Sequence, residues 1–197
     1  MRYAETMEKL MQDTQNKNRQ QLTALPPNVG SGSYLVLDAC CGSRMMWFDK
    51  NSKNTIYFDR RNEIFPIKPG SSHKNWTTVN VSPGVIGDFT NMPFKDESFM
   101  LVVFDPPHLS KLGDNGILAK KYGKLFGDWE CEISEGFREC FRVLKTNGTL
   151  IFKWCSVEVP LSQVINLSPI KPLFGHNTGN HAKTHWLAFM KPNLLLY

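Results

Sequence analysis

The chain has 197 residues, 23 Lys+Arg against 18 Asp+Glu, a net charge of +5 and a hydrophobic fraction of 41%. That length and apolar content suit one domain with a real core and exclude wholesale disorder. The longest aliphatic and aromatic run, Phe99 to Phe104, is six residues, where a membrane span needs about 20. Five cysteines without zinc-ribbon spacing argue against a disulfide framework and for a reducing, cytoplasmic setting.

Residues 1–33 read as an N-terminal helical appendage and linker. Met7, Leu10 and Met11 share one side of a helix. Pro26 and Pro27 end it, because proline lacks the amide hydrogen a continuing helix needs. The first 21 residues are polar and charged, without the apolar core of a secretory signal.

From residue 34 to 197 the pattern is that of a single α/β domain. Tyr34-Leu-Val-Leu-Asp38 is a short apolar run closed by an acid. Thr55-Ile-Tyr-Phe-Asp59, Gly84-Val-Ile-Gly-Asp88 and Phe99-Met-Leu-Val-Val-Phe-Asp105 repeat that design. Near-continuous apolar runs suit strands buried on both faces of a parallel sheet. An acid after each run sits at the carboxyl edge, where open α/β sheets bind ligands. A helix follows, capped by Asp128, with Trp129, Ile133, Phe137, Cys140, Phe141 and Leu144 as its apolar stripe. Asn147-Gly148 supplies a left-handed stop. Thr149-Leu-Ile-Phe-Lys-Trp154 and Thr184-His-Trp-Leu-Ala-Phe-Met190 read as later strands, with a short helix over 161–167 begun by Pro160. The expected fold is a doubly wound, mostly parallel α/β sheet of about six strands, with helices alternating early and late.

Four motifs carry chemistry. Asp38-Ala39-Cys40-Cys41-Gly42-Ser43 is a tight turn of small residues that lets backbone approach a ligand; it is neither a GxGxxG nor a P-loop. Asp59, with Arg60 beside it, ends the next strand, where a carboxylate accepts ribose hydroxyls. At Asp88-Phe89 an acid can accept from an adenine amino group while the ring packs on the purine. Asp105-Pro106-Pro107-His108 sets two acceptors, the carboxylate and the Pro106 carbonyl, at angles fixed by consecutive prolines. His108 can stack on a base, hydrogen-bond a smaller substrate or move a proton.

These motifs in this order resemble class I S-adenosylmethionine-dependent methyltransferases, in particular the amino-methyltransferases with an Asp-Pro-Pro-Tyr type of motif and their short phage- or prophage-type members. The resemblance spans roughly 34–191 and implies a Rossmann-like methyltransferase sheet with S-adenosyl-L-methionine as cofactor. It implies cofactor contacts from Asp38, Ala39, Cys40, Cys41, Gly42, Ser43, Asp59, Arg60, Asp88 and Phe89, and catalysis by Asp105, Pro106, Pro107 and His108. Arg44 stands where these enzymes usually have glycine, and His108 where they have Tyr, Phe or Trp.

Two segments, 60–80 and 109–127, each carry a net charge of +3. The second interleaves Lys111, Lys120, Lys121 and Lys124 with Tyr122 and Phe126, which suits phosphate contacts and base stacking. It equally suits a lid over any substrate. Lys111, Lys120, Lys121, Tyr122 and, in a rim loop over 175–183, Lys183 are the expected substrate contacts. The expected acceptor is an exocyclic amino nitrogen, adenine N6 first, in RNA or single-stranded DNA. A small-molecule or protein-amide acceptor, or a non-catalytic binding module, are the alternatives. No Pro-Cys nucleophile occurs, and His176, His181 and His185 lack the intervening ligands of a zinc site, so no metal is expected.

Overall fold

The computed structural model describes residues 35–67, 76–109, 122–125, 127–177 and 183–193. The appendage expected over 1–33, along with Lys111, Lys120, Lys121, Phe126 and His181, lies outside the described residues.

Among the described residues the chain forms strands β1 (Val36–Asp38), β2 (Thr55–Asp59), β3 (Glu63–Ile67), β4 (Thr77–Val81), β5 (Val85–Ile86) and β6 (Phe99–Phe104), then helix α1 (Trp129–Val143). Strand β7 (Leu144–Cys155), helix α2 (Leu161–Ile165), β8 (Phe174–Asn177) and β9 (Thr184–Met190) follow. Seven strands make one sheet in the order β5-β2-β1-β6-β7-β9-β8. The first five run parallel, and β9 is antiparallel to both β7 and β8. The chain leaves β1 toward β2 on one side and later returns to β6 on the other. That reversal opens the crevice in which doubly wound sheets bind ligands. The doubly wound, mostly parallel fold expected from the sequence is the one observed.

The core lies between the sheet and α1. Asp128 accepts a hydrogen bond from the Cys131 N–H at 3.1 Å and starts the helix. Ile133, Phe137, Cys140 and Phe141 then turn inward. Phe137 meets Phe152 of β7 at 4.8 Å between centroids and Phe104 of β6 at 5.6 Å. Gly136 lets α1 come down on Phe89 and Phe104: a Cβ there would stand 2.6 Å from Phe104 Cζ. Phe104 immediately precedes Asp105, so this packing fixes the height of the strand end that carries the Asp-Pro-Pro motif.

Four sequence expectations need correction. The helix does not stop at Asn147-Gly148. It ends at Val143, and Leu144 passes directly into β7. Asn147 has φ +62° in the irregularity where pairing jumps from Phe99–Leu144 to Leu101–Thr149. The left-handed residue therefore makes a bulge rather than a helix cap. Residues 39–54 contain turns and no helix. Gly42 and Arg44, at φ +48° and +55°, interrupt any helix that would begin there. Between β2 and β5 stands an antiparallel hairpin, β3 with β4, where charge alone reads as a basic loop. Residues 174–177, partly inside the expected 175–183 rim loop, form edge strand β8. No helix among the described residues is long and apolar enough to cross a membrane.

Candidate active site

A cavity of about 620 Å³ opens at the carboxyl edge of β2, β1 and β6. The turn after β1 forms its base. Ala39 N–H donates to the Val103 carbonyl of β6, and Cys41 N–H to the Phe58 carbonyl of β2, both at 2.9 Å. The turn is thus tied to both neighbouring strands, and Ala39, Cys40, Cys41, Gly42 and Ser43 all line the cavity. Burial pushes both thiols up, so Cys40 and Cys41 stay protonated at neutral pH and act through their small size.

Asp38 does not reach the cavity. It is fully buried, accepting from the Trp47 indole N–H at 2.6 Å and the Cys40 N–H at 3.3 Å. Burial raises its carboxyl to about 7 against the lowering effect of those two hydrogen bonds. Its place is behind the turn. Arg44 takes a left-handed conformation, φ +55°, that glycine adopts without strain. Its guanidinium donates to the Lys50 and Ser82 carbonyls, each at 2.6 Å, and lies 3.8 Å over the Tyr57 ring.

Asp59 lines the cavity with both oxygens engaged. Oδ1 accepts from the Arg61 N–H at 2.9 Å and Arg61 Nε at 3.1 Å. Oδ2 accepts from the Gly42 N–H at 2.9 Å and Arg61 Nη2 at 3.4 Å. Four donors fill the four acceptor directions of a carboxylate. Arg60 pairs with Glu132 of α1, and its guanidinium lies 5.0 Å over the Phe89 ring. Phe89 forms cavity wall. Asp88 does not line the cavity among the described residues. Its carboxylate accepts from Thr90 N–H and Oγ1 at 2.9 and 2.8 Å, the geometry of a turn-stabilising acid.

Across the switch point stand Asp105, Pro106, Pro107 and His108, all lining the same cavity. Burial raises the Asp105 carboxyl, opposed by Lys153 of β7, whose Nζ lies 2.5 Å from Oδ2. Burial lowers His108, opposed by Asp105, so its imidazole is neutral at neutral pH. The His108 ring sits 6.4 Å from Tyr122 and 6.2 Å from Trp154. Gly123 approaches so closely that a Cβ would stand 2.9 Å from Pro107 Cγ. Tyr122 and Lys124 line the cavity; Lys183 does not. The Lys183 carbonyl accepts from the Ser156 N–H at 2.8 Å, just past β7.

Sequence reading missed Arg61, Lys153 and Glu132. Lys153 had a signal, a single cation inside an otherwise apolar strand. Arg61 had none, since its hold on Asp59 is a matter of side-chain conformation. Among the described residues no cluster of three His, Cys, Asp or Glu could hold a metal.

No protein-family model and no curated protein matches the chain. Solved structures do. The chain is similar to the PH0226 protein of Pyrococcus horikoshii, with 13% identity, 83% of this chain and 84% of that one covered, and a TM-score of 0.50. It is also similar to a SAM-dependent methyltransferase from Methanosarcina mazei (14% identity, 86% and 99% covered, TM-score 0.46). A third is a TehB-like SAM-dependent methyltransferase from Corynebacterium glutamicum (11%, 82% and 81%, TM-score 0.45). At 13% identity the likeness to the first is one of fold alone.

Proposed function

We propose that this protein is an S-adenosylmethionine-dependent methyltransferase acting on an exocyclic amino nitrogen of a nucleic-acid base, adenine N6 first. The observation that carries the reading is one cavity with two halves. The small-residue turn and Asp59 form one half, and Asp105-Pro106-Pro107-His108 the other.

The residues fit the cofactor. The cavity volume of about 620 Å³ is in the range of small-molecule sites. Gly42 leaves the base of the turn without a side chain, Phe89 offers an apolar wall, and Asp59 offers an acid that would accept ribose hydroxyls. When bound, the cofactor supplies an electrophilic methyl on a sulfonium. Asp59 would accept ribose hydroxyls once the Arg61 side chain turned away, which would free two acceptor directions on that carboxylate. The Gly42 N–H stays on Asp59 and keeps it aimed.

On the acceptor side Asp105 takes one amino hydrogen and the Pro106 carbonyl the other. Two acceptors at fixed angles draw the nitrogen lone pair out of ring conjugation and point it at the methyl carbon. A bound sulfonium would supply the methyl carbon to that lone pair and keep the carbon–sulfur electron pair on sulfur. The nitrogen then sheds one proton through Asp105 to water. His108, with Tyr122 nearby, holds the base by stacking. The Tyr122 and Lys124 side chains in the cavity lining suit a base carried on a phosphate backbone.

Transfer of tritiated methyl groups into DNA, RNA, protein and metabolite pools, followed by nucleoside mass spectrometry, tests this. The expected product is N6-methyladenine in RNA or single-stranded DNA. Label confined to protein or small molecules would overturn the acceptor assignment, and label in no pool would overturn the activity.

A further inference from the structure

The inference concerns Lys153 and rests on the methyltransferase reading above. Strands β6 and β7 are parallel and in register, with Phe104 beside Phe152. The next residues, Asp105 and Lys153, therefore come side by side at the carboxyl edge. Along β7, Leu150, Phe152 and Trp154 are fully buried, while Lys153 belongs to the alternate, partly open face. A lysine in an apolar strand costs stability unless its ammonium has a defined partner.

It has two. Nζ lies 2.5 Å from Asp105 Oδ2 and 5.6 Å from the centroid of Trp186, the residue opposite Lys153 on β9. Ring and carboxylate hold the ammonium from two sides, the ring face being an electrostatic partner for a cation. Among the described residues Lys153 is the hydrogen-bond partner of the Asp105 carboxylate. The other ionisable groups that line the cavity with Asp105 are His108 in its own loop, Cys40 and Cys41 in the turn after β1, Asp59, Arg60 and Arg61 at and after the end of β2, Glu63 of β3, and Tyr122 and Lys124; Asp38 lies buried behind the turn. Arg60 is engaged by Glu132 and Arg61 by Asp59. Lys153 is the cation hydrogen-bonded to Asp105 itself.

We propose that Lys153 is a positioning residue of the methyl-transfer site: its ammonium holds Asp105 as a carboxylate in one orientation and excludes positively charged acceptors, so that the site takes uncharged amino nitrogens. With Oδ2 bound to the ammonium, Oδ1 accepts the incoming amino hydrogen. With Asp105 already paired to Lys153, a protonated alkyl amine would find no free carboxylate there and would arrive with no lone pair, whereas a base or amide nitrogen enters neutral.

The test compares wild type, Lys153→Gln and Lys153→Arg, each with aspartate carboxyl carbons labelled with ¹³C. Asp105 is assigned by the signal lost in Asp105→Asn. Titration by NMR is expected to move the Asp105 midpoint up by about one to three pH units in Lys153→Gln and to return most of that shift in Lys153→Arg. In parallel, S-adenosylmethionine binding is read by calorimetry, and methyl transfer is followed with an adenine-bearing single-stranded oligonucleotide and with a lysine-rich peptide. Lys153→Gln is expected to lower kcat on the oligonucleotide and shift its acid limb upward with the NMR midpoint, leaving cofactor affinity within about twofold. An unmoved midpoint, or wild-type labelling of the lysine-rich peptide, overturns the proposal while cofactor heat leaves the methyltransferase reading standing. Absence of cofactor heat in all three proteins overturns both.

Discussion

Asp38 makes the fold's stability depend on pH, in a direction opposite to that of an ordinary ion-paired acid. It is fully buried behind the turn that follows β1, and burial raises its carboxyl from 3.8 to about 7. Between those values the folded protein keeps a proton that the unfolded chain has released. The unfolded state then binds fewer protons, so stability falls as pH rises through this window and levels off above about 7. A shift of some three units at about 1.4 kcal/mol each amounts to roughly 4 kcal/mol. Asp38→Asn removes the titration. It retains an oxygen for the Trp47 indole and gives up the second acceptor, a loss of about 1 kcal/mol that does not vary with pH. Other groups titrate as well. Asp105, raised by burial, contributes in the same direction. Glu139, lowered by its hydrogen bond from Arg142, and His108, lowered by burial, contribute stability that is lost as pH falls. All three are common to both proteins, so the difference between variant and wild type isolates Asp38 together with its coupling to Asp105. Urea unfolding of both, followed by tryptophan fluorescence from pH 4.5 to 8.5, is the assay. The variant should gain on wild type by about 3 kcal/mol between pH 4.5 and pH 8.5, the part of the shift that falls inside this range. A difference that stays flat over that range would refute the reasoning.

Further consequences follow from named contacts. Asp105→Ala should abolish methyl transfer and leave cofactor heat intact; full residual turnover would remove Asp105 from the catalytic role. Arg61→Ala, which takes two side-chain donors off Asp59, should tighten cofactor binding by up to about tenfold, near 1.4 kcal/mol; calorimetry showing weaker binding would contradict the competition with ribose. Gly136→Ala puts a Cβ 2.6 Å from Phe104 and 2.8 Å from Phe89. Overpacking of about 1–3 kcal/mol should exceed the gain of about 1 kcal/mol in helix propensity, so thermal unfolding should fall rather than rise. Asp128→Ala should cost about 1 kcal/mol through the lost helix cap, with cofactor binding unaffected.

Much of this architecture was legible in the residues because burial on both faces forces an unbroken apolar run. The strands at 55–59, 99–104 and 184–190 coincide with such runs, and the Asp128 cap and apolar stripe marked α1. The hairpin was missed because Glu63, Pro66 and the surrounding cations look like loop. Its one signal was the alternation of buried Val79 and Val81 with exposed Thr78 and Asn80. Strand β8 is an exposed edge containing Gly175 and His176, so no hydrophobic pattern was needed to hold it. At the site, acids after successive strands could be read as neighbours, because parallel order brings their ends together. Which of them face the cavity could not. Asp38 turns inward to Trp47, and Asp88 turns back on Thr90. The contact of Lys153 with Asp105 depends on the register of two strands separated by 39 residues between their ends, a relation absent from local sequence.

The most direct measurement is a structure of the protein with S-adenosylhomocysteine. The account predicts the nucleoside between Gly42 and Phe89, both ribose hydroxyls on Asp59 with Arg61 turned away, and the sulfur facing Asp105. A ligand bound elsewhere, or one in this cavity with its sulfur directed away from Asp105, would contradict it.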